Sequence, residues 1–271
     1  MPITLTSADP TPDLRPLQTY LDIINYPLWR KDILGFGVDI RIIDGGWIKS
    51  HEALVNNSNI IWETSGTRYQ DSQHGTMVLG IGFGQGSIRS MCPNATVRPV
   101  LWYTIQDELF QAAEQMPFGS IVLVERDLST TPYDGTPIED SPDLFKAVKA
   151  CTSSGITVIV PVGNANTNMD DIRFGGRFNR DEKSPAYQDS GAIWVSGAFC
   201  LGSYISDGKY QSSYVGPTGS TSYGSRVDIC APATNIPTCG GGHHIWGSDS
   251  NRWYELWSGV SPASAIVAFA S

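Results

Sequence analysis

Asp44, His74 and Ser261 are the residues of this chain whose types and settings invite chemistry. Asp44 ends an Ile- and Val-rich run and is followed by Gly45-Gly46. His74 opens the small, apolar stretch Gly75-Thr76-Met77-Val78-Leu79-Gly80. Ser261 opens another, Pro262-Ala263-Ser264-Ala265. A serine hydroxyl is a poor nucleophile until a base removes its proton. An imidazole can be that base, and a carboxylate on its far nitrogen fixes the tautomer and stabilises the imidazolium that forms. Ser261 at a helix start would lie near the positive end of the helix dipole, where a developing oxyanion is favoured. Asn164, in Pro161-Val162-Gly163-Asn164, offers an amide that could donate to that oxyanion beside the Ser261 backbone N–H. Together these groups support acyl transfer through a serine ester.

Such side chains need elements to hold them. The sequence predicts an irregular arm over 1–15 and a docking helix over 17–29, forming an N-terminal region of 1–34 ahead of one domain at 35–271. A strand is expected at 38–43 and a buried helix at 74–83. Strands follow at 96–101 and 120–124, with a helix at 106–115 between them. A helix at 142–154 has Ser141 as its N-cap, and 156–160 reads as a strand buried on both faces. Shorter strands are expected at 193–198 and 226–229. Strands alternating with helices imply a parallel sheet and an α/β fold. Right-handed crossovers then place functional loops at the carboxyl ends of strands, where Asp44 and Asn164 fall. Residues 165–190 and 202–225, rich in Gly, Ser, Asn, Asp and Tyr, read as long surface loops.

Composition narrows the function classes. A net charge of −9 over 271 residues argues against a nucleic-acid groove or an anionic membrane surface as partner. No apolar run approaches the ~20 residues of a spanning helix. The first sixteen residues lack the basic start and apolar stretch of a secretory signal. The expectation is an intracellular protein or part of a longer precursor. Five cysteines do not make a disulfide framework at this size, although Cys230 and Cys239 flank a short loop and could pair in an oxidising compartment.

The order Asp, His, Ser and the segments around it resemble the subtilisin-like serine proteases, or subtilases. Asp44-Gly45-Gly46 is similar to their Asp-x-Gly, and His74 through Gly80 to their His-Gly-Thr-x-Val-x-Gly. Gly163-Asn164 matches the Gly-Asn that bears their oxyanion Asn. Tyr223 to Pro232 is similar to the segment before their serine block, and Gly259-Val260-Ser261-Pro262-Ala263 to their Gly-Thr-Ser-x-Ala. The resemblance runs from about residue 38 to the C-terminus and implies a three-layer α/β/α fold with a mainly parallel central sheet. It implies a serine endopeptidase with Asp44, His74 and Ser261 as its triad and Asn164 at the oxyanion. The partner implied is a peptide or protein, extended between two enzyme strands, one of them 123–127. Leu123, Val124, Glu125, Arg126, Asp127, Val162 and Gly163 would line its path. The chemistry requires no cofactor and no metal. Structural calcium is left open at Asp170, Asp171, Asp181 and Asp189.

Departures from the family pattern set the alternatives. Val260 replaces the usual Thr, and Ala265 and Ile266 stand where Pro and His are common. Glu125 and Asp127 would give the side-chain pocket an acidic wall, suiting basic substrates, unless they pair with Arg126 or face solvent. The chain stops ten residues after Ser261, which suits one domain of a larger protein, a minimal relative or a degenerate one. An inactive peptide-binding relative, and a peptide ligase or macrocyclase using the same acyl-enzyme, are the competing functions. His51 as the base, His243-His244 as metal ligands and Gly82–Gly86 as a nucleotide loop each lack the required context.

Overall fold

The computed structural model describes residues 10–26, 34–62, 72–130, 133–180, 184–206, 209–217, 219–241, 244–247 and 249–271. Helix α1 (Tyr20–Ile23) precedes strand β1 (Asp39–Asp44), helix α2 (Ser72–Phe83), strand β2 (Thr96–Leu101), helix α3 (Ile105–Gln115) and strand β3 (Ile121–Val124). Strands β4 (Asp127–Thr130) and β5 (Tyr133–Pro137) follow, then helix α4 (Pro142–Ser153) and strands β6 (Thr157–Pro161), β7 (Ile193–Ser206) and β8 (Lys209–Pro217). Strands β9 (Ile229–Pro232), β10 (Ile236–Cys239), β11 (His244–Trp246) and β12 (Tyr254–Trp257) lead to helix α5 (Val260–Ala270).

The main sheet runs β2-β1-β3-β6-β7-β8, with β9 also paired to β7. All its pairs are parallel except β7 with β8. Successive side chains of a strand point to opposite faces, and here both faces are covered. Ile40 and Ile42 of β1, Leu123 of β3 and Ile159 of β6 join α2 and α5 in one core. Ile43, Val122, Val124, Val158 and Val160 join α3 and α4 in the other. Fully burying one such side chain stabilises by roughly 1.5–3 kcal/mol, so packing on two faces outweighs the weak preferences of these short strands. The result is the expected three-layer α/β/α arrangement around a mainly parallel sheet. Because β2 and β3 flank β1 on opposite sides, the strand order reverses there. A crevice opens at the carboxyl end of β1, where α/β sheets hold their ligands, and Asp44 stands at it.

Three expectations change. Within the described residues, the docking helix expected at 17–29 is broken into a turn at Arg15–Leu17, the four-residue α1 and a helical Tyr26. Asn25, at φ +55°, interrupts helical geometry, and 27–29 lie outside the described residues. Tyr20, Leu21 and Tyr26 nevertheless enter the core on the α2 face. Much of the loop expected at 202–225 is the antiparallel β7–β8 ribbon. Asp-Gly at 207–208 separates its strands in sequence, a hairpin signal masked by the Ser and Gly around it. The strand expected at 226–229 begins only at Ile229. Its predecessor Asp228 still donates its N–H to Trp194 O at 3.0 Å, but the Trp194 N–H goes to an Asp228 carboxylate oxygen at 2.9 Å, and buried Arg226 binds that carboxylate at 2.5 Å.

Candidate active site

Asp44 closes β1 with no exposed surface. The Gly45 N–H donates to its Oδ1 at 2.5 Å. His74, in the first turn of α2, lies with Nδ1 2.8 Å from Asp44 Oδ2 and 3.1 Å from Oδ1. Its Nε2 lies 3.1 Å from Ser261 Oγ. The carboxylate selects the tautomer with hydrogen on Nδ1, which leaves Nε2 to accept the serine proton.

The local sequence explains this approach. Helix α2 passes so close to the turn after β1 that a Cβ on Gly75 would meet Gly46 O at 2.4 Å and Trp47 Nε1 at 2.5 Å. One residue on, Thr76 Oγ1 accepts the Ile48 N–H at 2.8 Å and ties that turn to the helix. His-Gly-Thr is thus an imidazole beside Asp44, a close approach and a tether in sequence. The Trp257 ring stands edge-on to His74 at 5.1 Å between centroids, limiting its rotation. Ser261 and Pro262 lie in the first turn of α5, where no intrahelical N–H bond is lost to proline.

Asn164 is exposed just beyond β6 and accepts the Val260 N–H on Oδ1 at 2.9 Å. The bond satisfies an orphan donor of α5 through Oδ1 and leaves the Nδ2 donor of Asn164 unused by it. His74, Trp102, Glu125, Arg126, Asp127, Asn164 and Ser261 share a cavity of about 230 Å³. Arg126 stacks on Trp102, 4.2 Å from the ring centroid.

The residues expected along the substrate path divide. Glu125, Arg126 and Asp127 reach the cavity. Leu123 and Val124 do not, because β3 lies between β1 and β6 and both side chains are fully buried. Val162 is also buried, its N–H bonded to Val195 O at 2.9 Å. Gly163 backs onto the β4–β5 hairpin, where a Cβ would meet Gly135 O at 1.9 Å. That hairpin pairs Asp127 with Pro137, so it takes up the last residue of the segment expected beside substrate. Sequence reasoning did not single out Ser264 for the site, and read Trp257 as core or hairpin packing or a substrate wall. The i, i+3 spacing of Ser261 and Ser264 on one helix was the available signal.

Charge is concentrated here. Burial pulls the His74 imidazole down, but the Asp44 charge and hydrogen bond outweigh it, with Glu125 and Asp127 adding, and its pKa rises to about 9. Burial pushes the Glu125 carboxyl up to about 8; the Asp44 charge adds, while His74 and the Ser264 and Ser261 hydroxyls oppose.

Several of the other candidates have partners within the protein. His51 is buried, with Nε2 on Trp253 O at 2.9 Å and Nδ1 accepting the Ala53 N–H at 3.1 Å. Cys230 and Cys239 are free thiols, one exposed and one buried. Asp170 accepts from Ser225, Asp171 from the Arg173 N–H, and Asp189 from Gly191 and Arg226. Asp181 and His243 lie outside the described residues, among which no group of three or more His, Cys, Asp or Glu is arranged to hold a metal. No described helix is long and apolar enough to cross a membrane.

The sequence matches no protein-family model and no curated protein. Solved structures do match. A cold-adapted subtilisin-like serine proteinase superposes with a TM-score of 0.55 at 20% identity, over 88% of this chain and 75% of that one. The epidermin leader peptide-processing serine protease of Staphylococcus aureus gives 0.63 at 18%, over 98% and 73%. The fold is subtilisin-like. A protease of Pseudoalteromonas arctica agrees, at 0.62 and 18% identity over 96% and 85%. At such identities the likeness speaks for the fold, and the chemistry must be argued from the side chains.

Proposed function

We propose that this protein is a serine endopeptidase that hydrolyses peptide bonds through an acyl-enzyme on Ser261. The observation that carries the reading is the hydrogen-bond chain from buried Asp44 through His74 to Ser261 Oγ. Ser261 Oγ attacks the carbonyl carbon as its proton passes to His74 Nε2. The oxyanion meets the Asn164 amide, and the leaving amine takes the proton from the imidazolium. Water then repeats the sequence on the ester and frees Ser261. The substrate is a peptide or protein, and no step requires a cofactor. Asp127 in the cavity wall, with Arg126 turned onto Trp102, favours a basic side chain before the scissile bond.

One observation favours the rival reading, a peptide-binding protein without turnover: Asp127, the last residue of the segment expected beside substrate, is already paired with Pro137. A fluorophosphonate probe separates the two. A single adduct on Ser261, absent in Ser261→Ala, is the expected result, read by intact mass and peptide mapping. A folded protein that stays unlabelled at every pH overturns the peptidase reading. With an active enzyme, a peptide library should show cleavage after Lys and Arg exceeding that after Leu, and Asp127→Asn should narrow the gap. Equal cleavage in the unaltered protein removes the basic preference.

A further inference from the structure

Glu125 is the acidic group that the acyl-transfer scheme leaves without a step. It is 3% exposed. Its Oε1 accepts from Ser264 Oγ at 2.8 Å. Its Oε2 is buried without a formed hydrogen bond, and the Ser261 hydroxyl acts on the same carboxyl within the shared cavity. A buried carboxylate oxygen lacking partners is costly, so the group must be neutral or balanced by a nearby cation. Arg126, next in sequence, stacks on Trp102 instead. The cation available is the imidazolium of His74, on which Glu125 already acts.

The groups facing this pair are few. Asp44 comes from the end of β1, Asp127 from β4 and Arg126 from the link before it. Helix α5 contributes the hydroxyls of Ser261 and Ser264. Two arrangements then hold the same number of protons: a Glu125 carboxylic acid with neutral His74, and a Glu125 carboxylate with imidazolium. Only the first gives Ser261 a base.

We propose that Glu125 is a positioning residue of charge, a second carboxyl partner that shares one proton with His74, so that the pair rather than the imidazole alone decides when the general base is available. This rests on the serine peptidase reading for its consequence in turnover, but the coupling itself concerns only the two side chains. An ionised Glu125 holds the proton on His74 and delays the onset of catalysis to alkaline pH. Glu125 is among the charges that raise His74, and His74 in turn opposes the rise that burial imposes on Glu125.

The test is Glu125→Gln, which keeps the volume of the side chain and an acceptor for Ser264 Oγ while removing the charge. The His74 imidazole is titrated by NMR on isotope-labelled protein, and fluorophosphonate labelling is followed from acid to alkaline pH. The expected result is a fall of about one pH unit in both the His74 midpoint and the acid limb of labelling, the scale of one nearby charge. An unchanged His74 midpoint in folded Glu125→Gln overturns the proposal, even where labelling proceeds. A shifted midpoint with no labelling in either protein supports the coupling and overturns the peptidase reading instead. If the variant does not fold, Ser264→Ala replaces it. Losing the hydroxyl that stabilises the charged carboxyl makes Glu125 more often neutral, and the His74 midpoint must again fall; a midpoint that stays put overturns the proposal.

Discussion

Asn164 does two jobs with two atoms. Its Oδ1 holds the Val260 N–H, and its Nδ2 is the donor that the acyl-transfer reading assigns to the oxyanion. The jobs can be separated. Asn164→Asp keeps an acceptor for the helix and replaces the donor by a carboxylate oxygen. Asn164→Ala removes both. Losing one oxyanion donor costs ~10²–10³-fold in turnover, so both variants should fall by that order at fixed KM. Only Asn164→Ala should also lower the melting temperature, since a lost helix-end bond costs ~0.5–2 kcal/mol. Turnover should be compared on the alkaline plateau, because a carboxylate at 164 also favours the imidazolium. Full turnover in Asn164→Asp would remove this residue from the mechanism.

At the scale of elements, the site depends on how closely α2 approaches the turn after β1. Gly75→Ala puts a methyl group against Gly46 O and the Trp47 ring. Backbone at that distance cannot yield cheaply, and overpacking costs ~1–3 kcal/mol. The helix should retreat and carry His74 away from Asp44, and displacements near 1 Å can cost ~10²-fold. The expected result is labelling of Ser261 slowed by that order in a protein that still melts cooperatively; unchanged labelling would refute the close-approach argument. The same motif shows what the sequence could reveal. His-Gly-Thr was legible because one helix carries the base, the contact and the tether in consecutive positions. Strands β3 and β6 were legible because both their faces are buried and their apolar runs are unbroken, and β1 because Arg41 alone interrupts its run of Ile. The β4–β5 hairpin was not, because its strands carry no regular apolar alternation. The burial of Glu125 was hidden for a related reason: a carboxyl one residue beyond a strand reads as exposed until Ser264, far along the chain, closes over it.

For the molecule as a whole, the charges gathered at the candidate site also govern stability. His74 binds its proton more tightly in the folded state than in the unfolded one, with a pKa of about 9 against an ordinary 6.5. Its contribution is fully present below 6.5 and is lost as pH rises through 9. Glu125, at about 8 against 4.5, likewise holds a proton that the unfolded chain has released, so stability falls between those values as pH rises. Buried Glu139 works in the same direction, held up by burial. His51 has the opposite sign: burial lowers its pKa, so folding gains as pH rises toward 6.5 and nothing further beyond it. The thiols of Cys92 and Cys239 are raised by burial from 9.0 and count only above that pH. Between about pH 7 and 8.5, therefore, His74 and Glu125 act together at the site. The melting temperature should drop by a few degrees across that window, at roughly 2–4 °C per kcal/mol for a domain of this size, while the labelling rate climbs. Glu125→Gln should flatten the melting curve against pH, because it removes one titrating group and brings the other toward its ordinary value. Glu139→Gln should leave the relation between labelling and pH as it was, since Glu139 accepts from Trp194 Nε1 at 2.8 Å on the α3–α4 face of the sheet. A melting temperature that holds level or rises from pH 7 to 8.5 would mean that the pair does not carry its extra proton into the folded state, and the opposition between stability and an available base would fail with it.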